Sequence, residues 1–148
     1  GGLMKEIIVK NYKETKGAQQ GEGKNKFTVK PVIPAEAVNK CSANFVEVEP
    51  GNTAYGYHWH EANEEVFYII SGEASVKTEN GEIRLKQGDA IFFPADVKGS
   101  HVISNPSETE KLVYLDFGTA NRPDIVHFTG TQSGMAVSED GKIYMFGK

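Results

Sequence analysis

The stretch GNTAYGYHWHEANEEVFYIISG, residues 51–72, decides how the chain is read. His58 and His60 bracket Trp59 directly after a glycine- and tyrosine-bearing segment. On a strand, residues two apart point to one face, so both imidazoles are expected on the same side. Glu64 and Glu65 follow within one short connection, and Val66 to Ile70 is β-branched and aromatic until Ser71-Gly72 stops it. His101 heads a later strand. Three imidazoles and a carboxylate suit Zn²⁺, Mn²⁺, Fe²⁺, Co²⁺ or Ni²⁺, because nitrogen and oxygen donors match borderline divalent metals. Taken alone, a His-x-His pair reads equally as surface histidines on an edge strand.

Outward from this stretch the chain keeps the same strand-and-turn character. Phe45, Glu47 and Glu49 alternate with Val46 and Val48, a half-buried strand that Pro50-Gly51 ends. Ala74 to Thr78 and Glu82 to Leu85 flank Asn80-Gly81, a strong hairpin signal. Ala90 to Phe93, His101 to Ser104, Lys111 to Phe117, Ile125 to Phe128, Met135 to Ser138 and Lys142 to Phe146 complete the set. Short strands separated by turn residues predict an all-β antiparallel sandwich or barrel. Pro34 to Val38 offers one short helical turn and nothing more helical is expected.

Composition narrows the function classes. The chain has 148 residues, 39% hydrophobic and 24% charged, which suits one domain with its own core and neither a membrane protein nor a disordered one. A net charge of −4 gives no electrostatic pull toward nucleic acid. The single cysteine, Cys41, excludes an intrachain disulfide framework and any cysteine-built metal cluster. No apolar run approaches the length of a membrane span, and a cytoplasmic location is the default expectation. Gly1 to Leu3 reads as a cloning scar ahead of Met4. Lys10 to Lys30 carries six lysines interrupted by Gly17, Gly21 and Gly23, and reads as a solvated arm. Residues 1–30 are thus expected to hold the scar, an edge strand and the arm, and residues 31–148 one barrel with C-terminal strands.

The segment from Gly51 through His58, His60 and Glu65 to Gly72 closely resembles the first motif of the cupin superfamily. Gly88, Pro94, His101 and Asn105 resemble the second, so the likeness is to a small single-domain, bacterial-type metal-binding cupin. Two departures stand out. Six residues separate Gly51 from His58 where the family usually has five, and the interval from Pro94 to His101 is two longer than usual, with Asp96 where glycine is common.

The resemblance implies an antiparallel jelly-roll β-barrel with His58, His60, Glu65 and His101 as ligands of one divalent metal, its identity among Zn, Mn, Fe, Ni and Co left open. Glu65 is preferred to Glu64 because its six-residue spacing to Gly72 matches the family, and alternation then turns Glu65, Phe67 and Ile69 inward. Tyr57, Phe67, Ile69, Phe93, Ile103 and Asn105 are expected around the pocket, with Tyr55 beside Tyr57 near its mouth as a polar handle and Tyr68 facing away, while His127 reads as structural or surface. One carboxylate and a divalent ion leave a centre near +1, which favours anionic chelating oxygens. The implied activity is that of a metalloenzyme on a small oxygen-rich molecule (sugar, sugar phosphate or oxo-acid) of isomerase, lyase or oxygenase type. The alternative is a non-catalytic small-ligand binding or sensing module. Tyr57 and Glu64 are weak candidates for a general acid or base. No nucleic-acid or membrane partner is expected, and Met4 to Val9 is suited to strand exchange in a homodimer.

Overall fold

Alternation along residues 45–49 is realised directly: Val46 and Val48 are fully buried and Glu47 points outward, where it accepts a hydrogen bond from Lys30 at 2.8 Å. Such strands assemble into two antiparallel sheets. The computed structural model describes residues 5–147, so the reading of Gly1 to Leu3 as a scar ahead of Met4 lies outside the described residues. The strands are β1 (Ala18–Gln20), β2 (Phe27–Pro31), β3 (Cys41–Val48), β4 (Thr53–His60), β5 (Glu65–Ser71), β6 (Glu73–Thr78) and β7 (Gly81–Lys86). They continue as β8 (Ala90–Phe93), β9 (His101–Ser104), β10 (Leu112–Thr119), β11 (Asp124–Phe128), β12 (Gly134–Val137) and β13 (Ile143–Phe146). One sheet runs β1-β2-β3-β10-β5-β8 and the other β13-β12-β11-β4-β9-β6-β7. Three short 3₁₀ turns are present among the described residues and no α-helix; the turn at Ala35–Ala37 falls where Pro34 to Val38 suggested one. The architecture is a jelly roll, as expected, and no helix is long and apolar enough to cross a membrane.

The core lies between the sheets. Phe27, Val46, Val48, Phe67, Ile69, Ile103, Leu112 and Tyr114 pack there, each at most 6% exposed. Burial of side chains of this size contributes about 1.5–3 kcal/mol apiece relative to exposure. The end of the lysine-rich arm therefore belongs to the barrel, since Phe27 and Val29 of β2 enter the core. Residues 5–10 form no strand, and Ile7 and Val9 stand exposed.

The β6–β7 turn is shifted by one residue from its expected place. Thr78 pairs with Gly81, so Glu79 and Asn80 are the turn residues, and Gly81 begins β7 at φ 109°. Thr78 competes for this turn with its own side chain: its hydroxyl donates to the Gly81 carbonyl and accepts from the Asn80 N–H.

Candidate metal site

Strand β4 presents His58 and His60 to the barrel interior, and β5 presents Glu65 from the opposite sheet. Gly118 on β10 pairs with Glu65, and a Cβ there would sit 3.2 Å from Glu65 Cγ, so glycine leaves this carboxylate its place. His101 opens β9 directly opposite His58. The long connection before it folds into a 3₁₀ turn over Val97–Gly99. Asp96 takes φ 84° there, accepts from the Val97 N–H through its side chain, and donates its own N–H to the His60 carbonyl at 2.7 Å. Two extra residues thus become a tether between the two motifs.

Each imidazole is oriented through Nδ1. His58 Nδ1 donates to the Gly56 carbonyl at 2.5 Å and His101 Nδ1 to the Gly99 carbonyl at 2.8 Å. His60 Nδ1 donates to the buried Asp124 carboxylate at 2.7 Å. All three Nε2 atoms then converge on one oxygen, Glu65 Oε1, at 4.0 Å from His58, 3.5 Å from His60 and 3.4 Å from His101. Glu65 Oε1 and His101 Nε2 are buried without a hydrogen-bond partner. Buried polar atoms are almost always satisfied, so this pair is an exception that calls for a ligand. Neighbouring ligand atoms about 2.1 Å from one metal stand roughly 3.0–3.4 Å apart, close to the 3.4 and 3.5 Å of His101 and His60 and shorter than the 4.0 Å of His58. The ligand atoms of His58, His60 and Glu65 lie within 4.8 Å of one another; His101 stands beside that trio through its contact with Glu65. Donor chemistry and spacing therefore fit a divalent ion.

The electrostatics are uneven. Burial and the neighbouring His101 push the His58 imidazole down to about 4, so it is neutral at pH 7. Burial acts the same way on His60, but Asp124 and then Glu65 outweigh it and raise this imidazole to about 9. Burial pushes the Glu65 carboxyl up, yet the facing His101 and His60 imidazoles hold it well below 4.5. Asp116, deeply buried beside Glu65, is driven well above the usual carboxylate range by burial and then by the Glu65 charge.

A cavity of about 210 Å³ adjoins these groups, walled by Tyr55, His58, His60, Glu65, Phe67 and Asp116 with Val126, Phe128 and Met135. A second space of about 260 Å³ shares His60, Glu65, Val126 and Met135 and reaches outward to Asn121 and Arg122. Of the expected pocket residues, Phe67 lines the first cavity. Phe93 stacks on the His101 ring at 3.6 Å and backs the site from the core. The others are placed differently. Ile69 and Ile103 are core residues at 0% and 1% exposure and do not line the cavity. Asn105 is buried but structural: its amide donates to the Val48 and Glu110 carbonyls and its oxygen accepts from Ser107. Tyr57 lies outside the cavity, with the Lys77 ammonium 4.7 Å from its ring centre. Glu64 is exposed, and His127 stacks on Trp59 while pairing with Glu61 at 2.6 Å.

Tyr57 is displaced by a bulge. Ala54 pairs with Ile103 and His58 with His101, so three residues of β4 face the single Val102 of β9. The interior is reached instead by Tyr55, at φ 60°. Tyr55 was expected near the mouth and lines the cavity, whereas two further residues of the site, Asp116 and Asp124, were outside the expected set. Asp116 carried one signal, as the acidic member of the apolar run Leu112–Phe117, on the same strand face as Tyr114. Asp124 carried none, because its partner His60 is 64 positions earlier.

The chain belongs to the Cupin domain family, whose model matches residues 44–118. It is 39% identical over 95 residues to a protein of Arthroderma benhamiae named "Probable oxalate decarboxylase", covering 61% of this chain and 22% of that protein. It is 28% identical over 89 residues to the "Oxalate-binding protein" of Thermotoga maritima, covering 60% of this chain and 72% of that protein. The chain thus spans about a fifth of the first relative and most of the second. Among solved structures, a "Putative sugar phosphate isomerase" of Acidithiobacillus ferrooxidans superposes with a TM-score of 0.80 at 25% identity, over 91% of this chain and 86% of the other.

Proposed function

We propose that His58, His60, Glu65 and His101 hold one divalent metal and that the protein binds, and acts on, a small oxygen-rich acid at that metal. The observation that carries this reading is the convergence of three Nδ1-anchored imidazoles on Glu65 Oε1, with that oxygen and His101 Nε2 lacking any other partner. The metal, when bound, supplies Lewis acidity toward a carbonyl or carboxylate oxygen. The chain's own residues do the rest. Asp124 fixes the tautomer and direction of His60, as carboxylate partners of metal-binding histidines do. Phe67, Val126, Phe128 and Met135 wall the cavity with apolar surface that displaces water. Arg122, which makes no ion pair among the described residues, lines the adjoining space and favours a ligand bearing a carboxylate or phosphate.

Isomerase, lyase and oxygenase chemistry on a sugar phosphate or an oxo-acid all suit such a site. A non-catalytic role is the second reading, favoured by the likeness to an oxalate-binding protein. A second copy of this chain is the proposed protein partner, supported by the exposed Ile143, Tyr144 and Met145 of edge strand β13. The functional reading is tested by loading the purified protein with Mn²⁺ or Co²⁺ and measuring thermal stabilisation by oxalate and by sugar phosphates. Stabilisation by an acid only in the metal-loaded form is expected. Equal stabilisation with and without metal contradicts the reading, and product formation on incubation separates enzyme from binder.

A further inference from the structure

We infer that Tyr55 is a ligand-binding residue of this cavity, its hydroxyl donating a hydrogen bond to an oxygen of the acid held beside His58 and Glu65. This rests on the reading of the metal site given above. A bulky residue at φ 60° is a backbone outlier that costs on the order of 1–3 kcal/mol, and such conformations persist where the surrounding structure imposes them, most often at functional sites. Here the strain sits in the β4 bulge, midway between a core pair (Ala54 and Ile103) and a site pair (His58 and His101). Its effect is to turn the Tyr55 side chain into the cavity that His58, His60 and Glu65 wall.

The ring is held there by Phe27, with centroids 4.5 Å apart at a tilt of 46°. Packing accounts for the ring but not for the hydroxyl, which makes no hydrogen bond to any described residue. Tyr114 also has an unpartnered hydroxyl, but that residue is fully buried in the core and is not a cavity wall. Tyr55 is the tyrosine that combines an uncommitted hydroxyl with a place in the cavity. A phenolic hydroxyl is protonated near neutral pH and so can act as a donor. A neutral donor beside the Glu65 carboxylate is suited to an acid's carboxylate or carbonyl oxygen, which the Glu65 charge would otherwise repel.

The test is calorimetric titration of oxalate into Mn²⁺-loaded wild type and Tyr55→Phe, with metal content and thermal midpoint measured on both. Phenylalanine keeps the ring, its contact with Phe27 and the backbone conformation, and removes only the hydroxyl. The expected result is unchanged metal content, an unchanged thermal midpoint and oxalate affinity weakened about tenfold, the loss of one hydrogen bond to a charged oxygen. Equal affinity in the two proteins overturns the role of Tyr55 and leaves the metal reading standing. A lowered thermal midpoint with unchanged affinity also overturns it and assigns the hydroxyl to folding. Metal-loaded wild type that binds no oxalate overturns the acid-ligand reading and this inference with it.

Discussion

Strands β4 and β9 run side by side through the barrel, and the two ends of their pairing differ in kind. At one end Ala54 faces Ile103, both 1% exposed, with Val76 adding a third apolar side chain from β6. At the other, His58 faces His101, each imidazole fixed by a backbone carbonyl and each directing Nε2 at Glu65. One end is held by close packing, whose strength scales with apolar area removed from water. The other is held by directed hydrogen bonds around an oxygen that nothing in the chain satisfies. The bulge from Tyr55 to Tyr57 separates them, so the ends are expected to respond independently to substitution.

The strongest challenge to that independence is at the apolar end. Ile103→Ala is expected to lower stability by about 2–5 kcal/mol through loss of burial and a residual cavity. Denaturant unfolding measures this, and metal bound per folded molecule should not change. At the polar end, Glu65→Gln is expected to weaken metal affinity about a hundredfold, whereas Glu64→Gln, an exposed change, leaves it within a factor of two. Metal competition titration compares the two, and equal effects would show that the wrong carboxylate has been assigned. Asp124→Asn is milder. It leaves a hydrogen-bonding group beside His60 but removes the charge, and about a tenfold loss of affinity is expected.

The smallest effect is on the pH dependence of the metal-free protein. His60 is raised from 6.5 to about 9 by its carboxylate partners, so its stabilising contribution is full below 6.5 and is lost as pH rises through 9. His58 is lowered to about 4, so its neutral buried form becomes costly as pH falls from 6.5 toward 4. Stability of the metal-free protein should therefore peak near pH 6.5 and fall by about 1 kcal/mol by pH 8. Thermal midpoints across that range check the sign. In Asp124→Asn the loss on the alkaline side should shrink, because His60 no longer gains from an ion pair there.

What could be read from residues alone divides along the same line. Val46 and Val48, and Phe67 and Ile69, sit in the core as strand alternation requires, because a period of two survives wherever a strand is regular. The inward turn of Glu65 follows from that regularity in β5. Alternation fails in β4, where of the two tyrosines expected near the mouth an irregular stretch keeps Tyr55 and turns Tyr57 away, and no local signal marks where a bulge will fall. Strand β2 was hidden by the lysines around Phe27 and Val29, whose burial depends on β3 and not on their own neighbours in sequence. Asp124 and Arg122 come to the site from β11 and the connection before it, beyond both motifs. Partners brought together only by the packing of strands leave no spacing to detect.

Metal stoichiometry of wild type, His58→Ala and His101→Ala tests the central claim most directly. Elemental analysis after loading with excess Mn²⁺ and desalting should give one ion per wild-type chain. Each folded variant should retain less than about a tenth of that, which is the loss of one ligand from a four-ligand shell. A wild type that retains no metal, or variants that retain as much as wild type, would contradict the account.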